Sequence, residues 1–98
     1  MNELIRQAQL MQKKMLRTQE EMGKKEVEAS VGGGMVTVRA TCGGEVLSVA
    51  IDKSVLEDVD MLQDMVLSAV NEALKKGKDL MQAEMSQITG GMKIPGLF

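Results

Sequence analysis

Most side chains that could do chemistry in this 98-residue sequence are charged, because His, Trp and Tyr are absent and Cys and Phe occur once each. These absences remove imidazole catalysis, a tyrosine acid and any cluster of thiolates. What remains is 12 Lys and Arg side chains, 14 Asp and Glu side chains and a single thiol. Most of the usual means of catalysis are missing, so the sequence predicts a binding protein and not an enzyme.

Neighbouring carboxylates are one group that could act as catalysts or metal ligands. Glu57 lies beside Asp58, and Asp60 is four residues from Asp64. Their spacing does not match an EF-hand loop, and acidic side chains at the start of a helix interact favourably with its dipole. The favoured interpretation is structural. An enzyme that depends on these carboxylates is the third hypothesis for function.

Two other features resemble reactive motifs. Gly32–Gly34 is glycine-rich like a phosphate-binding loop, but no Gly-Lys-Ser/Thr motif follows and the next element has a strand pattern, so a hairpin turn is expected. Cys42 has no His to activate it, and we expect a small buried side chain in a reducing compartment. The sequence therefore predicts no metal, no cofactor and no small-molecule substrate.

Cationic side chains are concentrated at the beginning of the chain. Residues 1–25 carry six basic and three acidic side chains, a net charge of +3, whereas the remaining 73 residues carry six and eleven, a net charge of −5. Helical steps of about 100° place four cations within a face about 40° wide: Arg6, Lys13, Arg17 and Lys24. This cationic face is either simply solvated or binds the phosphates of a polyanion.

The type of polyanion follows from what the cationic face lacks. No aromatic side chains alternate with the cations, so stacking on unpaired bases is implausible and duplex phosphates remain. A second basic group, Lys75, Lys76 and Lys78, occurs late in the chain. The overall charge of −2 argues against nucleic-acid binding, but the surface field depends on how charges are arranged.

Periodicity predicts the elements that position these residues. A helix from Asn2 to about Lys24 has an apolar seam opposite the cations, which we expect to pack. The seam consists of Leu4, Ala8, Met11, Met15 and Met22. Three segments with period-two alternation follow, at 26–31, 35–42 and 45–52. Each has one apolar face, and glycine-rich breaks between them predict an antiparallel three-stranded meander.

The opposite face of the second and third strands is small and mixed, and could meet water or another copy. A short turn near 54–58 and a long helix from about 60 to 88 complete the pattern, with capping-box spacings that begin at Ser54 and Asp60. The long helix has an apolar stripe of Leu62, Val66, Ala69, Ala73 and Leu80. Gly77 lies at its edge, at a cost of about 1 kcal/mol relative to Ala unless close packing uses it.

Gly90-Gly91 is expected to end the long helix. The sequence thus predicts an α+β fold with one domain over residues 1–90. Residues 91–98 form a flexible C-terminal tail, or one that docks through Leu97 and Phe98.

Six segments, spread over nearly the whole chain, share a pattern with one protein family. They are Leu4–Met15, Gln19–Met22, Gly34–Val38, Val49–Asp52, Met61–Ala73 and Gly90–Gly96. Together they resemble the YbaB/EbfC family of bacterial nucleoid-associated proteins.

The resemblance implies a homodimer with a central β region and helices that project like tweezers. It implies binding to double-stranded DNA with little sequence specificity, which organises the bacterial chromosome and affects gene expression. The matching candidates for DNA contact are Arg6, Lys13, Lys14, Arg17, Lys24, Lys25, Lys75, Lys76 and Lys78.

The sequence also predicts where the protein is located and leaves one alternative function open. Without a secretory signal or an apolar run long enough for a membrane span, we expect a cytoplasmic protein, at the nucleoid if the resemblance holds. The alternative to DNA binding is a non-enzymatic adaptor or chaperone-like clamp whose Met-rich helices hold other proteins.

Overall fold

The structure is a computed structural model that describes residues 2–88. Its elements are α1 (Asn2–Gly23), β1 (Glu26–Val31), β2 (Val36–Thr41), β3 (Val46–Ile51), a short 3-10 helix (Lys53–Val55) and α2 (Val59–Ile88). The predicted order of elements is confirmed. Strands β2 and β3 are each one residue shorter at both ends than the alternation suggested. The predicted helix end at Gly90-Gly91 and the tail 91–98 lie outside the described residues.

The three strands form one antiparallel sheet in the order β1-β2-β3, as predicted for a meander. Gly32, Gly33 and Gly34 all have positive φ angles, which only glycine adopts readily, so the β1–β2 turn is built by this triplet. The pairing of β2 with β3 shifts register between Arg39 and Ala40. A β-bulge therefore interrupts the pairing between β2 and β3.

The core lies between α2 and the first two strands. It is formed by alternate sheet residues and by small residues on one face of α2. These residues are Ala29, Val36, Val38, Ala40, Ala69 and Ala73. Strand β3 lies outside this core. Val38 is fully buried, whereas its neighbour Val49, opposite it in the register, is 43% exposed.

The apolar face that the alternation gives the third strand is left exposed at Leu47, Val49 and Ile51. The reason is geometric. A helix is about 10 Å wide with its side chains and strands lie about 4.8 Å apart, so one helix covers two strands.

Gly77 lies where α2 closely approaches the end of β2. A Cβ atom there would lie 3.0 Å from both the Thr41 carbonyl oxygen and the Cys42 Cα. Close packing thus explains this glycine in the middle of a helix. Cys42 is buried, as predicted. The adjacent Gly43 contacts Gly23 in the same way, so both helices meet at the β2–β3 turn.

Helix α1 packs through only one half of its predicted seam. Met15 and Met22 are buried, but residues 2–14 are all exposed, including Leu4 at 69%. From the β2–β3 turn, α1 runs 21 residues back to Asn2, about 32 Å, whereas α2 continues only 11 residues from Gly77 to Ile88, about 17 Å. The first half of α1 therefore extends beyond Ile88, the last residue of α2 that the structure describes, and the molecule measures 67 × 19 × 18 Å.

Candidate nucleic-acid interface

The cations of α1 form an exposed group. Arg6, Lys13, Lys14 and Arg17, which we call the α1 cation group, are all exposed and form no ion pair with any residue in the range 2–88. Helical rise separates Arg6 from Lys13 by about 10 Å along the axis and Lys13 from Arg17 by about 6 Å. Because α1 projects past Ile88, a long ligand can reach this group without moving any element of residues 2–88.

Three of these cations surround one depression. Lys13, Lys14 and Arg17 line a surface depression of about 640 Å³ together with Leu10, Thr18 and Glu21. Leu10 and Thr18 were not among the predicted site residues. Each of them is four residues from Lys14 in sequence, one before it and one after it. This helical spacing could have identified them as neighbours of Lys14. The Glu21 carboxylate at the same depression partly offsets its positive charge.

Lys24 and Lys25 lie outside the helix that carries the group. Helix α1 ends at Gly23, so Lys24 lies one residue beyond the helix on which the other three cations of the predicted face are placed. The backbone N–H of Lys25 donates to Met22 O over 3.0 Å, and its carbonyl accepts from Cys42 N–H over 2.9 Å. These bonds fix the backbone at the end of α1, while both lysine side chains are exposed.

The lysines of α2 do not form a common patch. Lys75 pairs with Asp79 over 3.7 Å, and the Lys76 ammonium donates to the backbone carbonyl of Glu28 on β1 over 3.0 Å. Lys78 borders an apolar groove of about 380 Å³ beside Cys42. Positions 75, 76 and 78 are spread over about 160° of the helix, which separates the three side chains.

The acidic side chains near the start of α2 cap helical turns. The Asp52 carboxylate accepts a hydrogen bond from Ser54 N–H over 2.9 Å, and Asp58 accepts one from Met61 N–H over 3.0 Å. The capping residues are therefore Asp52 and Asp58, each two residues before the capping boxes expected to begin at Ser54 and Asp60. The bond from Ser54 stabilises the ionised carboxylate and lowers the pKa of Asp52. No three acidic or thiol side chains within residues 2–88 are arranged to hold a metal ion.

The surroundings of Arg39 and Cys42 show why neither is a free reactive group. Arg39, which the sequence did not single out for DNA contact, pairs with Glu26 on the outer face of the sheet. Burial raises the pKa of the Cys42 thiol, and the charge of Lys25 opposes this effect. A neutral buried thiol is a poor nucleophile.

An apolar groove lies between β3 and α2. It has a volume of about 470 Å³ and is lined by Ile51, Leu62, Gln63, Val66, Leu67 and Val70. We call it the β3–α2 groove. It continues the exposed apolar face of β3, so uncovered apolar side chains extend across one side of the molecule.

Comparison with known proteins shows which family has this arrangement. The model of the YbaB/EbfC DNA-binding family matches residues 1–92. The chain belongs to the YbaB/EbfC DNA-binding family. The family resemblance seen in the sequence is thereby confirmed.

Relatives agree over nearly the full length. A nucleoid-associated protein of Pelotomaculum thermopropionicum is 52% identical over 100 residues, covering 100% of this chain and 95% of the relative. One of Acetivibrio thermocellus is 53% identical over 100 residues, covering 99% and 88%. The crystal structure of an uncharacterized protein from Helicobacter pylori has a TM-score of 0.79 at 27% identity, and covers 92% of this chain and 97% of that one. Within residues 2–88, neither helix is long and apolar enough to cross a membrane.

Proposed function

We propose that this chain is a nucleoid-associated protein that binds duplex DNA through phosphate contacts, in the cytoplasm at the nucleoid. The observation that carries the proposal is the α1 cation group, exposed and without an ion pair among residues 2–88, in a member of a DNA-binding family. The names of the relatives support the location. The family is described by what it binds and not by a reaction, which agrees with the poor catalytic composition.

The primary contacts in this proposal come from α1 and the residues that follow it. The α1 cation group lies along the phosphates of a duplex, and Lys24 and Lys25 extend the contact. Phosphate contacts position a protein on DNA but carry no sequence information directly, so specificity is low. Lys75, Lys76 and Lys78 contribute less, because two of them already have partners in the chain. By occupying DNA, the protein organises the chromosome and changes gene expression.

The proposal includes a homodimer formed across the β3–α2 groove. This groove and the adjacent β3 carry Val49, Ile51 and Leu67, which are exposed in the single chain. A second copy that covers them removes apolar surface from water, at about 25 cal/mol per Å². Dimerisation also doubles the number of cations, so two weak contacts act together on one duplex.

The salt dependence of DNA binding tests this function. Fluorescence anisotropy with several unrelated duplexes, titrated at a series of salt concentrations, gives the slope of log K against log salt. Four to eight neutralised phosphates predict a slope of about −4 to −7, with similar affinities for all duplexes. A flat dependence, or strong preference for one duplex, overturns the proposal.

Variants locate the contact. Lys13→Gln and Arg17→Gln should each make the slope shallower by about 1 for every phosphate that is no longer neutralised, or about 2 in a dimer. Lys75→Gln is the matched control, because it removes an equal charge from α2, where Lys75 pairs with Asp79 of the same helix. Equal effects of all three substitutions would contradict a contact centred on α1.

The second candidate function is a protein adaptor, favoured by the extent of uncovered apolar surface. Capture of partners from lysate with and without nuclease separates the two candidates. Partners that disappear after nuclease treatment are bridged by DNA, as the proposal requires. Partners retained after nuclease, together with absent binding to purified duplexes, would favour the adaptor.

A further inference from the structure

A groove lies where the second half of α2 passes the β2–β3 turn, and we call it the turn groove. It has a volume of about 380 Å³. The residues that line it are Cys42, Gly43, Gly44, Leu74, Lys78, Met81 and Gln82. Its volume is at the lower end of the range for pockets that bind small molecules. Because its α2 residues span about 12 Å along the helix axis, the groove suits a small, elongated occupant.

The apolar part of the turn groove comes from one side of α2. Helical steps of about 100° place Leu74 and Met81 within about 20° of each other around the axis. Met85 continues this side of the helix and is only 1% exposed. Leu74 and Met81 are half-buried, so part of each side chain faces the groove uncovered. An apolar occupant would remove this surface from water, which favours its binding.

Lys78 places a positive charge on this apolar side of α2. It lies about 20° from Met85 around the axis, yet it is exposed and forms no ion pair with any residue in the range 2–88. Lys25 is a second cation nearby, because its carbonyl accepts a hydrogen bond from Cys42 N–H over 2.9 Å. Burial raises the pKa of the Cys42 thiol, and the Lys25 charge opposes this effect. The turn groove therefore combines apolar surface with a positive field.

The β3–α2 groove provides a comparison within the same molecule. Its lining among the described residues is five apolar side chains and Gln63, with no charged group. Such a surface suits the apolar face of another copy. The turn groove has a different requirement, because a hydrocarbon alone leaves the charge of Lys78 unpaired and a phosphodiester alone leaves Leu74 and Met81 uncovered. A ligand that has both an anionic group and an apolar chain uses the whole groove.

We propose that the turn groove binds a small monocarboxylate with an apolar chain. The chain lies on Leu74 and Met81, and the carboxylate pairs with the Lys78 ammonium, the one charged group in the lining. Beside the turn there is room for this ligand, since a Cβ atom at Gly44 would meet nothing within 4 Å. The ligand is bound and not converted, because the neutral Cys42 thiol is a poor nucleophile. This site does not depend on the proposed DNA function.

An NMR titration of the ¹⁵N-labelled full chain without DNA tests the site, with octanoate as the probe. Octanoate should shift the amide signals of Gly43, Gly44 and residues 74–82, while those of Gly32–Gly34 in the other turn stay unchanged. Octanol has the same chain without the charge and should bind about fivefold more weakly. Absence of shifts at the turn groove, shifts confined to the β3–α2 groove, or equal affinities for the two probes would overturn the proposal.

Variants and a mass measurement identify the contact and the occupant. Lys78→Gln should weaken octanoate binding about two- to fivefold and leave octanol binding unchanged. Lys75→Gln is the matched control, because it removes an equal charge from the same helix at a side chain that pairs with Asp79. Equal losses in both variants would show unspecific attraction and overturn the proposal.

Sedimentation with and without octanoate shows whether a second copy fills the turn groove instead. The mass should not change when octanoate is added. Dissociation of an oligomer by octanoate would assign the groove to a second copy and overturn the proposal. Because DNA is absent from all these measurements, such a failure leaves the DNA-binding proposal intact.

Discussion

Replacing Leu67 by Glu tests the proposed dimer surface most directly. Leu67 is 61% exposed in the single chain and lines the β3–α2 groove beside Ile51. Its side chain contributes little to the core, so the fold should persist. In the dimer, covering the exposed part of a leucine contributes about 1–2 kcal/mol. Because a two-fold symmetric dimer contains the substitution in both subunits, the dimer loses about 2–4 kcal/mol in total. This loss corresponds to a dissociation constant about 30 to 700 times higher.

Sedimentation equilibrium over a range of protein concentrations measures this constant, with circular dichroism as the check on folding. Leu16→Glu is the control, because Leu16 is 57% exposed but lies on α1 outside the groove. DNA affinity should fall along with dimerisation, since a monomer has only one set of cations for the duplex. A Leu67→Glu protein that remains as dimeric as the Leu16→Glu protein would refute the assignment of this surface. If the glutamate unfolds the chain, Leu67→Ser provides the same comparison with a smaller perturbation.

Three further predictions concern stability and reactivity. Gly77→Ala should lower the free energy of unfolding in urea by up to about 2 kcal/mol, because an added Cβ only 3.0 Å from the backbone at Thr41 and Cys42 outweighs the gain in helix propensity. The control is Ser68→Ala at an exposed position of the same helix, which should be neutral or stabilising. A Gly77→Ala protein that is more stable would contradict the close packing. Cys42 should react with a thiol reagent far more slowly at pH 7 in folded than in urea-unfolded protein, because burial raises its pKa; equal rates would show an accessible thiol. The pKa of Asp52 is lower in the folded than in the unfolded protein. Its ionised carboxylate therefore stabilises the fold at pH values above its pKa in the unfolded chain, and this stabilisation is lost as pH falls through its pKa in the folded protein. Asp52→Asn should therefore lower the melting temperature at pH 7 but not near pH 2. An equal decrease at both pH values would show that the charge of the carboxylate does not contribute to stability.

The sequence predicted the elements of this fold well because each has a distinct apolar period. Strand β1 has the predicted bounds, and α2 begins one residue before its predicted start. Periodicity identifies an apolar face but does not show what covers it. Val38 and Val49 follow the same pattern and lie opposite each other, yet only Val38 lies under α2. The coverage of a face depends on helix position and width, which a local pattern does not contain.

The candidate site was predictable to a similar extent. Helical spacing placed Arg6, Lys13 and Arg17 on one face, and the structure exposes them. The partners of the α2 lysines were not predictable, because Lys76 binds a carbonyl 48 residues away in sequence. Such a contact depends on how α2 crosses the sheet. Whether these cations contact DNA stays a prediction until the variants are measured.

The contact between Lys76 and Glu28 also affects how copies of the sheet can associate. β1 and β3 are the two edges of the sheet, and an edge strand exposes backbone groups that can pair with another strand. At β1, one of these carbonyls is bound by a lysine, and the strand itself carries two glutamates, so strand addition there is opposed by charge. β3 has an apolar sequence, and no lysine within the described range 2–88 binds its backbone carbonyls. A sheet with one receptive edge favours a closed pair and disfavours fibres, which would need both edges to grow.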